Sequence, residues 1–312
     1  MYYPFLKARQ FELIALRELA SENVTQGHVI PILEPVKETL NNLILANTVF
    51  REKNQSAYLV LNSNIGSTAG DTSFFIDFIA SEESTNYLPA FHYNSNKEYI
   101  IKIINQFSLS DCMLICGNDV SSDDPNFREL CELSEVKIIN VEDPGRNRDL
   151  NRYIRNLNKT YIRLDDPFEK ISPNAEYLKI EENRFSEEHI HFRDENYQGF
   201  SDYTTLPSLY TEGGSAPRAV VIHLTYKKPD NKIWIKHFTS NTNDSIANVQ
   251  GKFAEASKKA VEFCRSENKT NSAIAELESY YDEQHYPGLG MVKKISIKNH
   301  ILVVAEFLKN QS

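Results

Sequence analysis

The chain lacks the short motifs that announce a reaction. It has no G-x-x-x-x-G-K-[ST] phosphate loop, no G-x-S-x-G nucleophile turn and no H-E-x-x-H metal helix. Neither Glu181-Glu182 nor Asp123-Asp124 comes with a lysine at the spacing of a restriction-type nuclease. Cysteine is scarce, with four in 312 residues. Cys112, Cys116 and Cys131 sit inside apolar patterns that suit buried thiols in a reducing compartment, and no Cys or His pair nearby completes a zinc set. No apolar run reaches the ~18 residues that span a bilayer. Met1-Tyr2-Tyr3-Pro4 has neither the basic start nor the apolar stretch of a signal peptide. The expectation is a cytoplasmic protein with no membrane contact. Basic charge is also short, 34 Lys and Arg against 43 Asp and Glu, for a net −9. That balance argues against direct nucleic-acid binding, which needs a basic face.

What the chain does have is a rhythm. Strand-like runs end in a polar or ionisable residue, and an amphipathic segment follows each one. The clearest are Val29-Ile30-Pro31-Ile32-Leu33-Glu34, Tyr58-Leu59-Val60-Leu61-Asn62, Tyr87-Leu88-Pro89-Ala90-Phe91-His92 and Thr160-Tyr161-Ile162-Arg163-Leu164-Asp165-Asp166. Between them, Phe11, Ile14, Ala15 and Leu19 or Ile100, Ile103, Ile104 and Phe107 recur at helical spacing. About seven β-α steps before Asp166 match the pace of a (β/α)8 TIM barrel. A doubly wound open sheet has a similar rhythm. The expected fold is α/β, a TIM-like barrel over residues 1–312 as a single domain, with a β-hairpin insertion and C-terminal helices. Residues 167–240 form its irregular strand and hairpin segment, and residues 244–308 are mainly helical. Within the irregular stretch, residues 176–180 and 199–205 suggest strands. Lys227-Lys228-Pro229-Asp230-Asn231 suggests a turn joining strands at 219–226 and 232–238. The tail at 291–308 is ambiguous, with helix favoured.

Alternation along a strand places Glu34 on the face of Ile30 and Ile32, and His92 on the face of Leu88 and Ala90. If those faces point inward, Glu34 and His92 rim the barrel mouth, with Lys7, Asn62, Asp165 and Asp166 from other strands. Glu34, His92 and Asp165 are the catalytic candidates, able in principle to hold a divalent metal or move protons. Strand-end and helix-cap roles explain the same residue types. Arg193 near Asp202 suggests a fork for phosphate or carboxylate, or a structural ion pair. His223 and His237 share the expected hairpin, where a metal role and a core role both fit. Glu212-Gly213-Gly214-Ser215 offers backbone N–H groups to an anion or serves as a linker. Lys293 and His300 near the tail face either the site or solvent.

Tyr2-Tyr3-Pro4-Phe5-Leu6-Lys7 with Phe11-Glu12 and Ala15-Leu16, then Pro31-Ile32-Leu33-Glu34-Pro35, resembles the bacterial and phage "beta protein" family. Gly199-Phe200-Ser201-Asp202-Tyr203-Thr204 and Gly288-Leu289-Gly290 with His300 resemble later signatures of that group. The resemblance implies a barrel-like protein from defence or mobile-element neighbourhoods, beside a nuclease-like partner. It implies no catalytic residues. Two expectations follow: a defence component that recognises a protein partner or phage signal, or a metal-assisted hydrolase of a phosphate ester or nucleotide with its site at the mouth. A further expectation is that Glu34→Gln abolishes function while leaving the fold nearly intact.

Overall fold

Short apolar strands separated by amphipathic helices cannot pair as hairpins, so they line up in parallel with helical crossovers. The computed structural model describes residues 1–68, 73–81, 86–212 and 217–311. Its main sheet has eight parallel strands: β1 (Phe5–Leu6), β2 (Ile32–Leu33), β3 (Ala57–Val60), β4 (Tyr87–His92), β5 (Cys112–Cys116), β6 (Val136–Glu142), β7 (Thr160–Asp165) and β9 (Gly199–Asp202). Another strand, β8 (Glu182–Ser186), belongs to a different sheet. The main sheet curls back on its first residues. Tyr2 bridges both Val29 and Phe200, and the Tyr3 N–H donates to the Phe200 carbonyl at 2.9 Å. The result is a nearly closed TIM-like barrel.

Residue contacts divide the chain into two compact units. The barrel unit comprises Met1–Arg9, Thr25–Asp165 and His191–Asp202. Its helices are α2 (Asn41–Lys53), α3 (Ser73–Ser81), α4 (Lys97–Phe107), α5 (Pro125–Glu132) and α6 (Arg148–Arg155). Local chemistry sets their starts. The Asp124 side chain accepts from the Asn126 N–H with Pro125 in the first turn, and Asn147 accepts from the Leu150 N–H.

Ring contacts tell the two faces of the barrel wall apart. Tyr87 packs 6.0 Å from both Phe50 of α2 and Phe78 of α3, so Tyr87, Pro89 and Phe91 face the helices. Leu88, Ala90 and His92 therefore face the interior. Register carries the inner face around the wall: His92 pairs with Ile115, Ile115 with Asn140, Asn140 with Ile162 and Ile162 with Gly199. At Gly199 a Cβ would lie 2.6 Å from the Tyr3 ring, so only glycine lets that inward aromatic approach where the barrel closes.

The second unit comprises Gln10–Val24, Asp166–Ile190 and Tyr203–Ser312. It holds α1 (Gln10–Ser21), a three-stranded sheet in the order β10 (Val221–Lys227), β11 (Ile233–Thr239), β8, and the helices α8 (Val249–Ser266), α9 (Ser272–Asp282) and α10 (Leu289–Asn310). A four-residue helix, α7 (Glu188–His191), follows β8. Ile222, Leu224 and Phe238 of the sheet bury against Phe253, Ala260, Leu277 and Ile295 of the helices. The expected hairpin is present, antiparallel, with His223 opposite His237. The ambiguous tail is a 22-residue helix. Residues 176–180 are not a strand, since Asn174–Lys179 is one 3-10 helix. Its anchor is Tyr177, whose hydroxyl donates to the Glu169 carbonyl at 2.9 Å and accepts from the Ile171 N–H at 3.0 Å. The bonds of that tyrosine override the local strand pattern. Among the described residues, no helix is long and apolar enough to cross a membrane.

Candidate functional site

Parallel strands bring their C-terminal ends to one rim, where the inward side chains of β1, β2 and β4 end in Lys7, Glu34 and His92. Strand β2 stops there because Pro35 has no N–H to extend the ladder. The Glu34 N–H donates to the Leu6 carbonyl at 2.8 Å, which fixes the residue opposite Lys7. Lys7 Nζ donates to Glu34 Oε2 at 2.9 Å, and His92 Nε2 lies 2.9 Å from Glu34 Oε1. Ser63 Oγ donates to the same Oε1 at 3.3 Å. The Lys7, Glu34 and His92 side chains are 13%, 4% and 23% exposed, so the carboxylate is the deepest of the three. Burial alone pushes its pKa up. The hydrogen bond and charge of His92, with the charge of Lys7, outweigh that and lower it from 4.5 to about 2. Glu34 is therefore an anion across the ordinary pH range. As an acceptor only, it takes a hydrogen bond from the Nε2–H of His92 and so sets the tautomer of the ring.

Asn62 is close by but does different work. Its Nδ2 donates to the His92 carbonyl at 2.7 Å and its Oδ1 accepts from the His92 N–H at 2.8 Å. Both amide atoms extend the β3–β4 ladder one step beyond β3. Asn62, expected as a ligand contact, thus has both ends of its amide bonded to the His92 backbone.

Asp165 and Asp202 end neighbouring strands and pair in register, but on the opposite face from His92. Their face carries Tyr161, edge-on to Tyr197 at 4.9 Å, and Phe200, stacked on Tyr2 at 5.1 Å. Arg163 grips Asp165 through two nitrogens, at 2.7 and 3.1 Å, and reaches Glu195 at 3.1 Å. The Tyr2 hydroxyl donates to Asp202 Oδ1 at 2.7 Å. Burial raises the Asp165 pKa; Arg163 opposes this, while Asp143 and Asp202 reinforce it. So the expected catalytic set divides: Glu34 and His92 meet, and Asp165 belongs to a separate aspartate cluster behind the barrel wall. Arg193 is exposed over the Phe192 ring, with its guanidinium 5.3 Å from the centroid, and Asp202 takes the Tyr2 hydroxyl.

The remaining candidates lie in the second unit. Asp166 is exposed and accepts from the Ser208 hydroxyl. His223 and His237 face each other with their Nδ1 atoms 2.7 Å apart, and His237 Nε2 is 2.8 Å from Asn183 Oδ1. Tyr177 packs 4.9 and 4.5 Å from the two imidazoles. Burial lowers both pKa values, His223 to about 3 and His237 to about 4, so each ring is neutral at pH 7. Lys293 is exposed, whereas His300 is fully buried with Nδ1 3.1 Å from Thr225 Oγ1. Residues 213–215 of the Gly-Gly-Ser stretch, and residues 69 and 70 of the loop after Asn62, lie outside the described residues.

A divalent cation does not fit the donors at the mouth. Oε2 of Glu34 is covered by the Lys7 ammonium, and Oε1 by His92 and Ser63. Among the described residues, no group of three or more His, Cys, Asp or Glu could hold a metal ion.

Sequence reasoning missed two residues here. Ser63 follows a strand end and carries no pattern. Asn140 is a lone polar residue inside the apolar run Ile138-Ile139-Asn140-Val141, a signal open to reading. It is fully buried on the inner face.

No family model matches the chain, and comparisons with curated proteins and with solved structures return no match.

Proposed function

We propose that this chain is a barrel-mouth enzyme whose central step is a proton transfer by His92 on a small polar substrate. The carrying observation is the Lys7–Glu34–His92 arrangement on the inner rim. The lysine and glutamate charges cancel, so the imidazole can gain and lose one proton without leaving a net buried anion. Glu34 sets the tautomer, and Asn62 and Glu34 together hold the ring from backbone and side chain. Such an oriented base contributes about 10²–10⁴-fold to a rate. The motifs that carry the family resemblance supply Lys7 and Glu34. A defence role is therefore proposed on the resemblance, with this chemistry as its working part and a nuclease-like protein as the expected partner.

The test is untargeted. A bacterial small-molecule extract is incubated with the wild type and with His92→Gln, and consumption is followed by mass spectrometry. Some compound should be turned over by the wild type and not by the variant. Identical extracts from both proteins would defeat the proposal. Phage-plating efficiency separates the alternative, a scaffold that only recognises a partner, because a scaffold would protect equally well with Lys7, Glu34 and His92 all substituted.

A further inference from the structure

Most carboxylates at the C-terminal rim of the barrel are taken by the protein's own donors. Glu34 holds Lys7, Asp143 holds Arg146, Asp165 holds Arg163 and Asp202 takes the Tyr2 hydroxyl. Asp119 differs. It is exposed, and among the described residues no hydrogen bond or ion pair holds its carboxylate. Its place is set by the backbone on either side. Asn147 Nδ2 donates to the Asn118 and Val120 carbonyls, both at 2.9 Å, and Asn118 Nδ2 donates to the Asp143 carbonyl at 3.4 Å. Alternation past Ile115 puts the next inward position of β5 at Gly117. A Cβ there would lie 2.5 Å from Asp119 Oδ1, so the aspartate carboxylate stands where an inward side chain would be. Glu142, the last residue of β6, is exposed on the same inner face, one step beyond the Cys116–Val141 register pair. The two carboxylates therefore lie side by side on neighbouring strands, in the row above His92. From His92 to Glu142 is about 12 Å along the wall, at ~4.8 Å between strands and ~3.3 Å rise per residue. The His92 and Lys7 side chains are 23% and 13% exposed, so solvent reaches the wall at this depth.

We infer that Asp119 and Glu142 are the specificity residues of the mouth and select a small organic cation, an amine or a guanidine. Two carboxylates on adjacent strands repel each other, and a cation between them removes that cost. An ammonium or guanidinium supplies only donors, and carboxylate oxygens only accept, so the match is charge-assisted at every contact. The Lys7 charge is balanced by Glu34, which leaves this inner rim net negative. A phosphate ester or a dicarboxylate would be repelled from the same row. With no third metal ligand among the described residues, the pair suits an organic cation rather than a metal ion. This names the substrate class for the proposed His92 chemistry and rests on that reading. The cationic end of the substrate meets Asp119 and Glu142, and its reacting atom lies a few bonds away at the imidazole.

The experiment uses the full chain and the variants Asp119→Asn, Glu142→Gln, their double variant and His92→Gln. Binding of agmatine, putrescine and ethanolamine is followed by thermal shift and isothermal titration, with succinate and glycerol phosphate as anionic controls. Both carboxylates are exposed, so each single variant should melt within about 2 °C of the wild type. At least one cationic probe should bind the wild type, at least tenfold more weakly in each single variant and undetectably in the double variant. Added salt should weaken that binding, and the anionic controls should not bind. Any compound that the wild type consumes from the bacterial extract should carry an amine or guanidine. Its KM should rise at least tenfold in the double variant, with kcat changed less than about threefold. The inference is overturned if no cationic probe binds the wild type, if binding ignores both substitutions, or if the consumed compound has no basic nitrogen. His92→Gln separates the two proposals. Probe binding that depends on Asp119 and Glu142, with turnover kept in His92→Gln, would leave this inference standing and remove the proton-transfer reading. Turnover lost in His92→Gln, on a compound without a basic nitrogen, would do the reverse.

Discussion

Two ionic clusters occupy the C-terminal end of the same barrel, on opposite faces of its wall. On the inner face, Lys7, Glu34 and His92 come from three strands and share one carboxylate. On the helix-facing side, Arg163 and Asp165 come from a single strand, with Glu195 and the Asp165–Asp202 register pair beside them. The pKa directions differ as well. Glu34 is held down at about 2 by its contacts with His92 and Lys7, whereas Asp165 is pushed up by burial and by neighbouring aspartates. The first arrangement fixes a charge and orients a ring toward the mouth; the second ties the end of β7 to the turn before β9. Similar residues at similar strand positions therefore do different work, and face decides which.

Substituting His92 should break this comparison most sharply. His92→Gln is expected to lower turnover by about 10²–10⁴-fold, with a melting temperature within a few degrees of the wild type. Equal losses from Asp165→Asn would erase the distinction between the clusters.

The next effect concerns stability. Glu34→Gln removes the counter-charge of a lysine that is 13% exposed, so the geometry adds a cost to the expected loss of function. A loss of about 1–3 kcal/mol is expected at pH 7, with part of it recovered in the double variant Lys7→Met/Glu34→Gln. Urea titrations of the four proteins measure this. The pH dependence follows from the lowered pKa. The stabilisation is complete above 4.5, the ordinary value, and is lost as pH falls toward about 2. In Glu34→Gln that acid-limb loss should be smaller than in the wild type.

The histidine pair of the second unit gives a third test at a different pH. Both rings are neutral when folded, with pKa values of about 3 and about 4 against an ordinary 6.5. The unfolded chain binds more protons below 6.5, so stability should fall as pH drops through that point, by about 1.4 kcal/mol per pH unit for each proton taken up. His223→Phe should flatten this slope between pH 6.5 and 4.5. A slope identical to the wild type would mean that the pair is not held neutral.

The smallest effect is expected at Asp165. Asp165→Asn leaves Arg163 its contact with Glu195 and relieves crowding among carboxylates, so stability should change by less than about 1 kcal/mol. Turnover should not change. A large loss of turnover would make the outer cluster part of the site.

Much of this was legible along the chain. Alternating apolar runs and amphipathic stretches marked the strands and helices of the barrel, and parity correctly put Glu34 with Ile32 and His92 with Ala90. The same parity, applied to Thr160–Asp165, puts Asp165 with Arg163 and Tyr161, away from Ile162. The eighth barrel strand was harder to recognise as such. Residues 199–205 read as a strand, but a long excursion with its own sheet strand and helices separates β9 from β7, and nothing local says where a strand will return. The 3-10 turn at Asn174–Lys179 was hidden for a similar reason, because Tyr177 is held by Glu169 and Ile171 rather than by its own segment.

The sequence by itself determined the order of strands and helices and the residue types at each strand end, since periodicity and helix caps act over a few neighbours. Which strand ends meet was decided only in three dimensions. The Lys7–Glu34 and Glu34–His92 contacts close gaps of 27 and 58 residues, and one residue of register shift would turn either side chain to the other face of the wall. The burial of the unmatched Asn140 amide is likewise a property of the assembled barrel, because only packing from every side removes an asparagine from water.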